Sequence, residues 1–156
     1  PSAMDMALLY DDCGDDQAEE WYIRAINDGD RPIDALCNLG SLYVRSSNTT
    51  EAFACFSEAI RRNPFHLEAH RNLGDYYVVA GDDVQALAHF RWGARIAPRD
   101  PTTRFCLGVI LARQGRRKEA IAELEVCRQL TRRPKRAAEE LLRQLRQMVG
   151  LSEISG

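Results

Sequence analysis

Cys37-Asn38-Leu39-Gly40-Ser41-Leu42-Tyr43, Arg71-Asn72-Leu73-Gly74-Asp75-Tyr76-Tyr77 and Phe105-Cys106-Leu107-Gly108-Val109-Ile110-Leu111 are three passes of one pattern, each 34 residues after the last. The register continues downstream. Ala52, Ala86 and Ala120 fall in one column, as do Phe56, Phe90 and Leu124, and Ala59, Gly93 and Cys127. Pro64 is matched by Pro98 and, two places late, by Pro134. Seven columns held over three copies mark an internal repeat, and a period in this range decides the architecture.

Within each copy, Leu, Gly and Tyr are spaced for one helix. Ala, Phe and a small residue at i, i+4 and i+7 define a face of a second. The small residues let the helices approach closely and the aromatic fills the space they leave. Asn48-Thr49-Thr50, Gly81-Asp82-Asp83 and Gly115 mark the turn inside each copy, where one helix stops and the next is capped. Proline closes each copy, because it ends one helix and suits the first turn of another. A pair built this way buries its surface only by stacking on neighbours, so the spacing predicts an all-α solenoid of antiparallel helix pairs.

At these residues the chain resembles the tetratricopeptide repeat family. The first copy carries its motif through Leu39, Gly40, Tyr43, Ala52, Phe56, Ala59 and Pro64, and the second through Leu73, Gly74, Tyr77, Ala86, Phe90 and Pro98. The third keeps Leu107, Gly108 and Ala120 but substitutes Leu111, Leu124 and Cys127. The resemblance implies a right-handed superhelix in a single domain spanning 1–156, with repeats at 33–66, 67–100 and 101–134. Projected backwards, the period places Ala18, Tyr22 and Ala25 on the second-helix columns. Residues 4–32 thus read as a degenerate leading repeat, similar to the Sel1 type through Ala18 to Tyr22, Ala25 and Gly29-Asp30. Behind the third copy, 135–150 reads as a capping helix with Ala137, Leu141, Leu142, Leu145 and Met148 inward, and Arg136, Glu139, Glu140, Arg143 and Arg146 as its polar side.

The whole chain has 156 residues, 45% hydrophobic and 28% charged, an ordinary globular balance. No apolar run reaches the ~18 residues of a membrane span. The opening Pro1-Ser2-Ala3-Met4-Asp5 has neither the basic flank nor the apolar run of a secretory signal, and Pro1-Ser2-Ala3 is compatible with a cloning remnant. The net charge of −2 conceals polarity: residues 1–30 hold nine acids and one base, residues 91–150 fifteen bases and six acids. Such a field steers partners or favours head-to-tail association. The five cysteines (13, 37, 55, 106 and 127) are odd in number and form no CxxC, so they encode neither a disulfide framework nor a zinc knuckle. They point to a reducing compartment, the cytoplasm.

Catalytic and metal signatures are absent from the sequence, and neither enzyme activity nor a cofactor is expected. His66-Leu67-Glu68-Ala69-His70 sets its glutamate one place too late for HExxH, and His70 sits where such repeats pack a bulky residue. Asp11-Asp12 and Asp15-Asp16 lack the glycine and closing glutamate of a calcium loop and read as a solvated turn.

The resemblance implies that the first helices of successive pairs line a concave groove for an extended peptide or a partner helix. Its wall runs through Asp34, Cys37, Asn38, Ser41 and Arg45, then Glu68, Arg71, Asn72, Asp75 and Val79, then Thr102, Phe105, Val109 and Arg113. Asn38 and Asn72 stand just before Leu-Gly, where an amide either grips peptide backbone or bonds a neighbouring helix. Arg45, Arg71 and Arg113 favour a ligand with carboxylates. Phe105 offers an apolar contact or joins the core. Some family members clamp a chaperone's C-terminal carboxylate with lysines, asparagines and an arginine. Only Asn72 matches that set, with Cys37, Ser41, Thr102 and Cys106 at the other places, so that clamp is not expected.

The function expected is a non-catalytic scaffold for another protein, with Asn38, Arg45, Arg71, Asn72, Asp75, Phe105 and Arg113 as its binding residues. The alternative is a homo-oligomer, the acidic leading end docking on the basic trailing end of a neighbour. Nucleic acid is disfavoured, because no aromatics interleave with the bases. Arg116-Arg117-Lys118 at a helix start calls for a compensating negative charge, for which an acidic partner is one candidate. Trp92, off the main core columns, either packs on the next pair or stands as an exposed anchor, and packing is the preferred expectation.

Overall fold

The computed structural model describes residues 1–133 and 135–154; Pro134, the late proline of the third copy, lies outside the described residues. Nine helices and no strand are found among the described residues. They are α1 (Ala3–Asp12), α2 (Gln17–Asp28), α3 (Pro32–Arg45), α4 (Thr49–Arg62), α5 (Leu67–Ala80), α6 (Asp83–Ile96), α7 (Pro101–Arg113), α8 (Arg117–Leu130) and α9 (Arg136–Ile154). The fold is all-α, built from helix pairs. The chain divides into two compact units, Pro1–Leu73 and Gly74–Gly156.

Local chemistry accounts for several helix ends. Ser2 and Asp5 form a capping box at the start of α1, each side chain accepting from the other's backbone N–H at 3.2 Å. Proline occupies the first turn of α3 and α7. Asp82 accepts from the Gln85 N–H at 3.0 Å and Asp100 from the Thr103 N–H at 2.8 Å, capping α6 and α7. Asn48, expected to cap α4, makes no such side-chain bond. Between α5 and α6 the chain reverses through Gly81, whose φ of 78° lies in the left-handed region that a Cβ disfavours. Ser47, one period earlier, holds a φ of 62° in the same role.

In the first unit, Met4, Ala18, Tyr22, Ala25, Cys37 and Ala59 join one core, with α2 packed between α1 and α3. The side chains expected to be buried in the leading pair, Ala18, Tyr22 and Ala25, are fully so. Each large apolar side chain buried here contributes on the order of 1.5–3 kcal/mol. Phe56 lies across Gly40, where an added Cβ would collide with its ring.

In the second unit, Phe90, Leu107, Ile110, Leu111, Leu124 and Leu142 form the core, with α7 packed on α6 and α8, and α8 on α9. A Cβ on Gly74 would stand 2.6 Å from Phe90 Cε1, and one on Gly108 2.5 Å from Leu124 Cγ. The small-residue and aromatic columns of the repeat are therefore one packing device: the missing Cβ admits the ring or branched chain of the second helix.

Two details of the second unit differ from expectation. Among the described side chains of α9, Ala138, Leu142 and Leu145 are buried, whereas Ala137 and Met148 are exposed. Ala138, Leu142 and Leu145 follow the i, i+4, i+7 stripe that packs on α8, and Ala137 is rotated off it. Arg116 at the start of α8 is compensated within its own helix, because Glu119 receives its guanidinium through two bonds of 2.7 and 2.6 Å. That short-range pair supplies the negative charge that the sequence pattern left open.

Candidate functional site

The first helix of each pair carries the expected binding residues. On α3, Asp34, Asn38, Ser41 and Arg45 recur at i, i+4, i+7 and i+11 and share one face. Asp34 and Arg45 are exposed, and Asn38 and Ser41 are half-buried. The Ser41 hydroxyl donates to the Cys37 carbonyl at 3.0 Å, so it serves its own helix. Cys37, expected on the groove wall, is instead fully buried in the first core. The small thiol side chain on the inner face of α3 removes more apolar surface from water there than it would at the rim.

Arg45 is not a free guanidinium. It pairs with Asp11 of α1, and the same carboxylate accepts the Tyr22 hydroxyl at 2.8 Å. Burial, then the Asp11 carboxylate, push the Tyr22 phenol above its ordinary range. Asp11 thus belongs to a Tyr22–Asp11–Arg45 network that ties the leading pair to α3. Its neighbours also have structural roles, since Asp15 accepts from the Gln17 N–H at 2.9 Å and Glu19 from the Tyr43 hydroxyl at 2.7 Å.

The first half of α5 presents Glu68, exposed, and Arg71 and Asn72, half-buried. The Asn72 Nδ2 is shielded from water and donates to nothing among the described residues. An amide donor left this way costs about 1–3 kcal/mol. Asn72 is therefore not using that end to bond a neighbouring helix.

In the second unit, Asp75 and Val79 are exposed on the second half of α5. On α7, Thr102, Phe105 and Val109 are half-buried and Arg113 is exposed. Phe105 packs against the second core and carries the Lys135 ammonium 5.4 Å from its ring centre. Arg113 Nη2 stands 3.1 Å from Asp83 Oδ1, an ion pair reaching back from α7 to α6. The structure thus gives Arg45 and Arg113 intramolecular carboxylates that the sequence pattern did not reveal.

One constellation escaped the sequence altogether. His66 Nδ1 lies 3.7 Å from Cys37 Sγ, and His66 Nε2 lies 3.2 Å from Asp34 Oδ1. Thiol, imidazole and carboxylate stand in the order of a nucleophilic triad, although 29 residues separate Cys37 from His66. Its chemistry is different. Burial first, then Glu68 and Asp34, push the Cys37 thiol up to about 12, and no surface of that residue reaches solvent. A reactive thiolate needs the opposite shift and access. His66 Nδ1 also accepts from the Ala69 N–H at 3.3 Å, so the imidazole caps α5 and Asp34 orients it. His70, on the next turn, is buried as expected and bonds the Pro64 carbonyl through Nε2 at 2.8 Å.

Trp92 departs from its expected packing. It is 43% exposed on α6, with the Arg95 guanidinium 5.7 Å from its ring centre. It lines a shallow cleft of the second unit with Arg91, Arg95, Arg104, Leu107 and Glu123. Arg104 donates to Glu123 at 2.7 Å and fixes one wall.

Residues 37–101 match a family model described as Tetratricopeptide repeat. No curated protein matches the sequence. Among solved structures, the fold is similar to that described as "Crystal structure of MamA protein", with a TM-score of 0.80 and 18% identity over 97% of this chain and 82% of that one. A tetratricopeptide repeat protein from Parabacteroides merdae gives a TM-score of 0.80 and 19% identity, covering 92% of this chain and 59% of that one. The structure described as "First TPR of Spaghetti (RPAP3) bound to HSP90 peptide SRMEEVD" gives 0.71 and 16% identity, covering 76% and 93%. These likenesses establish the all-α helix-pair solenoid. Among the described residues, no helix is long and apolar enough to cross a membrane.

Proposed function

We propose that this chain, whose residues 37–101 match the tetratricopeptide repeat model, is a non-catalytic scaffold that binds another protein, as an extended peptide or a helix, against the first helices of its pairs. The observation that carries this reading is the Asn72 amide, half-buried on α5 with Nδ2 unsatisfied. Rotation about the side-chain amide exchanges its donor and acceptor ends, and a peptide backbone offers both partners at once. Arg71 on the same helix, and Arg113 on α7, favour carboxylates on the ligand.

Arg45 and Arg113 already hold acidic partners, so a ligand there exchanges one carboxylate for another. That contributes selectivity more than affinity. The solved relative bound to an HSP90 peptide supports the scaffold class. Cys37, Ser41, Thr102 and Cys106 make that same tail a poor expectation for this chain. Burial holds the Cys37 thiol protonated, so Cys37 is not proposed as a nucleophile, and the odd cysteine count without CxxC spacing favours a reducing compartment such as the cytoplasm.

The test is selection of binders from a random peptide library, followed by affinity measurement against wild type and two variants. Asn38→Ala/Asn72→Ala and Arg71→Glu/Arg113→Glu are each expected to weaken the selected peptides at least tenfold at unchanged helicity. Peptides that keep their affinity for both variants place the binding face elsewhere.

A further inference from the structure

In the Trp92 cleft of the second unit an exposed aromatic and several arginines meet. Arg91 and Arg95 are four residues apart on α6 and both exposed, with Trp92 between them. Against three arginines the cleft sets one acid, Glu123, which is committed to Arg104. Glu119 of α8 takes two bonds from Arg116 and attracts Arg91 only as a weaker, non-bonded charge. The cleft therefore keeps an excess of positive charge around an apolar ring.

The chain contains a surface of the opposite kind. On α2 and its N-cap, Asp16 and Glu20 are four residues apart, both exposed, and Ile23 follows on the same side of the helix, 41% exposed. Asp16 makes no capping bond with its side chain, so its carboxylate has no structural duty at that helix end. Two acids at i and i+4 beside an exposed aliphatic side chain mirror two arginines at i and i+4 beside an indole. The surrounding residues extend the match, since residues 1–30 hold nine acids and one base.

We propose that the Trp92 cleft of one copy receives the α2 face of a second copy, with Asp16 and Glu20 on Arg95 and Arg91, and Ile23 against the indole. The two surfaces differ, so the contact is heterologous: each copy keeps one donor face and one acceptor face through which further copies join. Opposed exposed charges of this kind act over about a Debye length, ~8–10 Å at physiological salt, which makes assembly salt-sensitive. The proposal is independent of the peptide-binding reading, because neither surface includes a residue assigned to the first-helix faces.

Sedimentation velocity across a concentration series tests it. Wild type is expected to grow in mass with concentration at low ionic strength and to return to monomer at ~1 M salt. Arg91→Glu/Arg95→Glu has two acidic faces and Asp16→Arg/Glu20→Arg two basic ones, so each is expected to stay monomeric alone. Mixed one to one, they are complementary at both contacts and are expected to co-assemble. The altered side chains are exposed, and circular dichroism checks that each variant keeps wild-type helicity. A wild type that stays monomeric at low salt overturns the proposal. So do single variants that assemble as wild type does, or a mixture that stays monomeric. An acidic partner other than this chain is the remaining occupant of the cleft in those cases.

Discussion

Gly74 lies against the ring of Phe90 so closely that a Cβ would stand 2.6 Å from Cε1. The contact joins the first helix of a pair to its second at the point where the repeat's Leu-Gly and Phe columns cross. Gly74→Ala is expected to force the ring out of its place and to cost about 1–3 kcal/mol. Gly150, inside α9, has nothing within 4 Å of where a Cβ would go. There the same change is expected to stabilise by about 0.5–1 kcal/mol, through lower unfolded-state entropy and better helix propensity. Urea unfolding of both variants checks the opposite signs.

Ser47, Gly81 and Gly115 occupy one repeat column, and all three have positive φ, 62°, 78° and 74°. Two of them are glycines, for which the conformation is free of Cβ strain. Ser47→Gly is expected to raise stability by about 0.5–1 kcal/mol, the left-handed strain relieved exceeding the extra chain entropy of glycine. A lower urea midpoint for the variant contradicts this.

Helix capping in this chain is unequal. Asp100 takes both the N–H of Thr103 at 2.8 Å and its hydroxyl at 2.5 Å, and Thr103 is fully buried. Asp100→Ala is expected to cost about 1–2 kcal/mol, the upper range for a cap. Asn48→Ala, at a helix start where the side chain makes no capping bond, is expected to cost only a few tenths. Thermal unfolding of the two single variants compares them directly.

His70 links stability to pH. Burial of its imidazole is the largest influence and lowers its pKa, the charge of nearby His66 works in the same direction, and the bond to the Pro64 carbonyl opposes both. The folded value therefore lies below the ~6.5 of an unfolded chain. Its contribution is complete above that pH and is lost as pH falls through the folded value, because the unfolded chain takes up the proton first. Stability is expected to decline between pH 7 and 5 in wild type, and the His70→Gln profile to be flatter there. Parallel profiles count against His70 as the titrating group.

The leading pair shows how far a period carries. Ala18, Tyr22 and Ala25 lack the Leu-Gly partner of the later copies, yet register alone placed all three in the core. The α9 stripe shows where it stops: with no repeat to align against, Ala137 and Ala138 are equivalent in sequence, and only packing on α8 selects Ala138. Trp92 lies off the repeated columns, so nothing in the pattern fixed its exposure.

The sequence by itself determined the helix pairs, their turns and the core columns. Those rest on short-range periodicity and on side-chain size, both written in a 34-residue repeat. Tertiary structure alone decided which charges are spent internally and which remain. Arg45 found Asp11 at a separation of 34 residues and Arg113 found Asp83 at 30. His66 met Cys37 and Asp34 at 29 and 32. Unlike the i,i+3 pair of Arg116 and Glu119, these partners are chosen by distances of a few ångströms between side chains that the fold brings together, and no spacing along one helix encodes them.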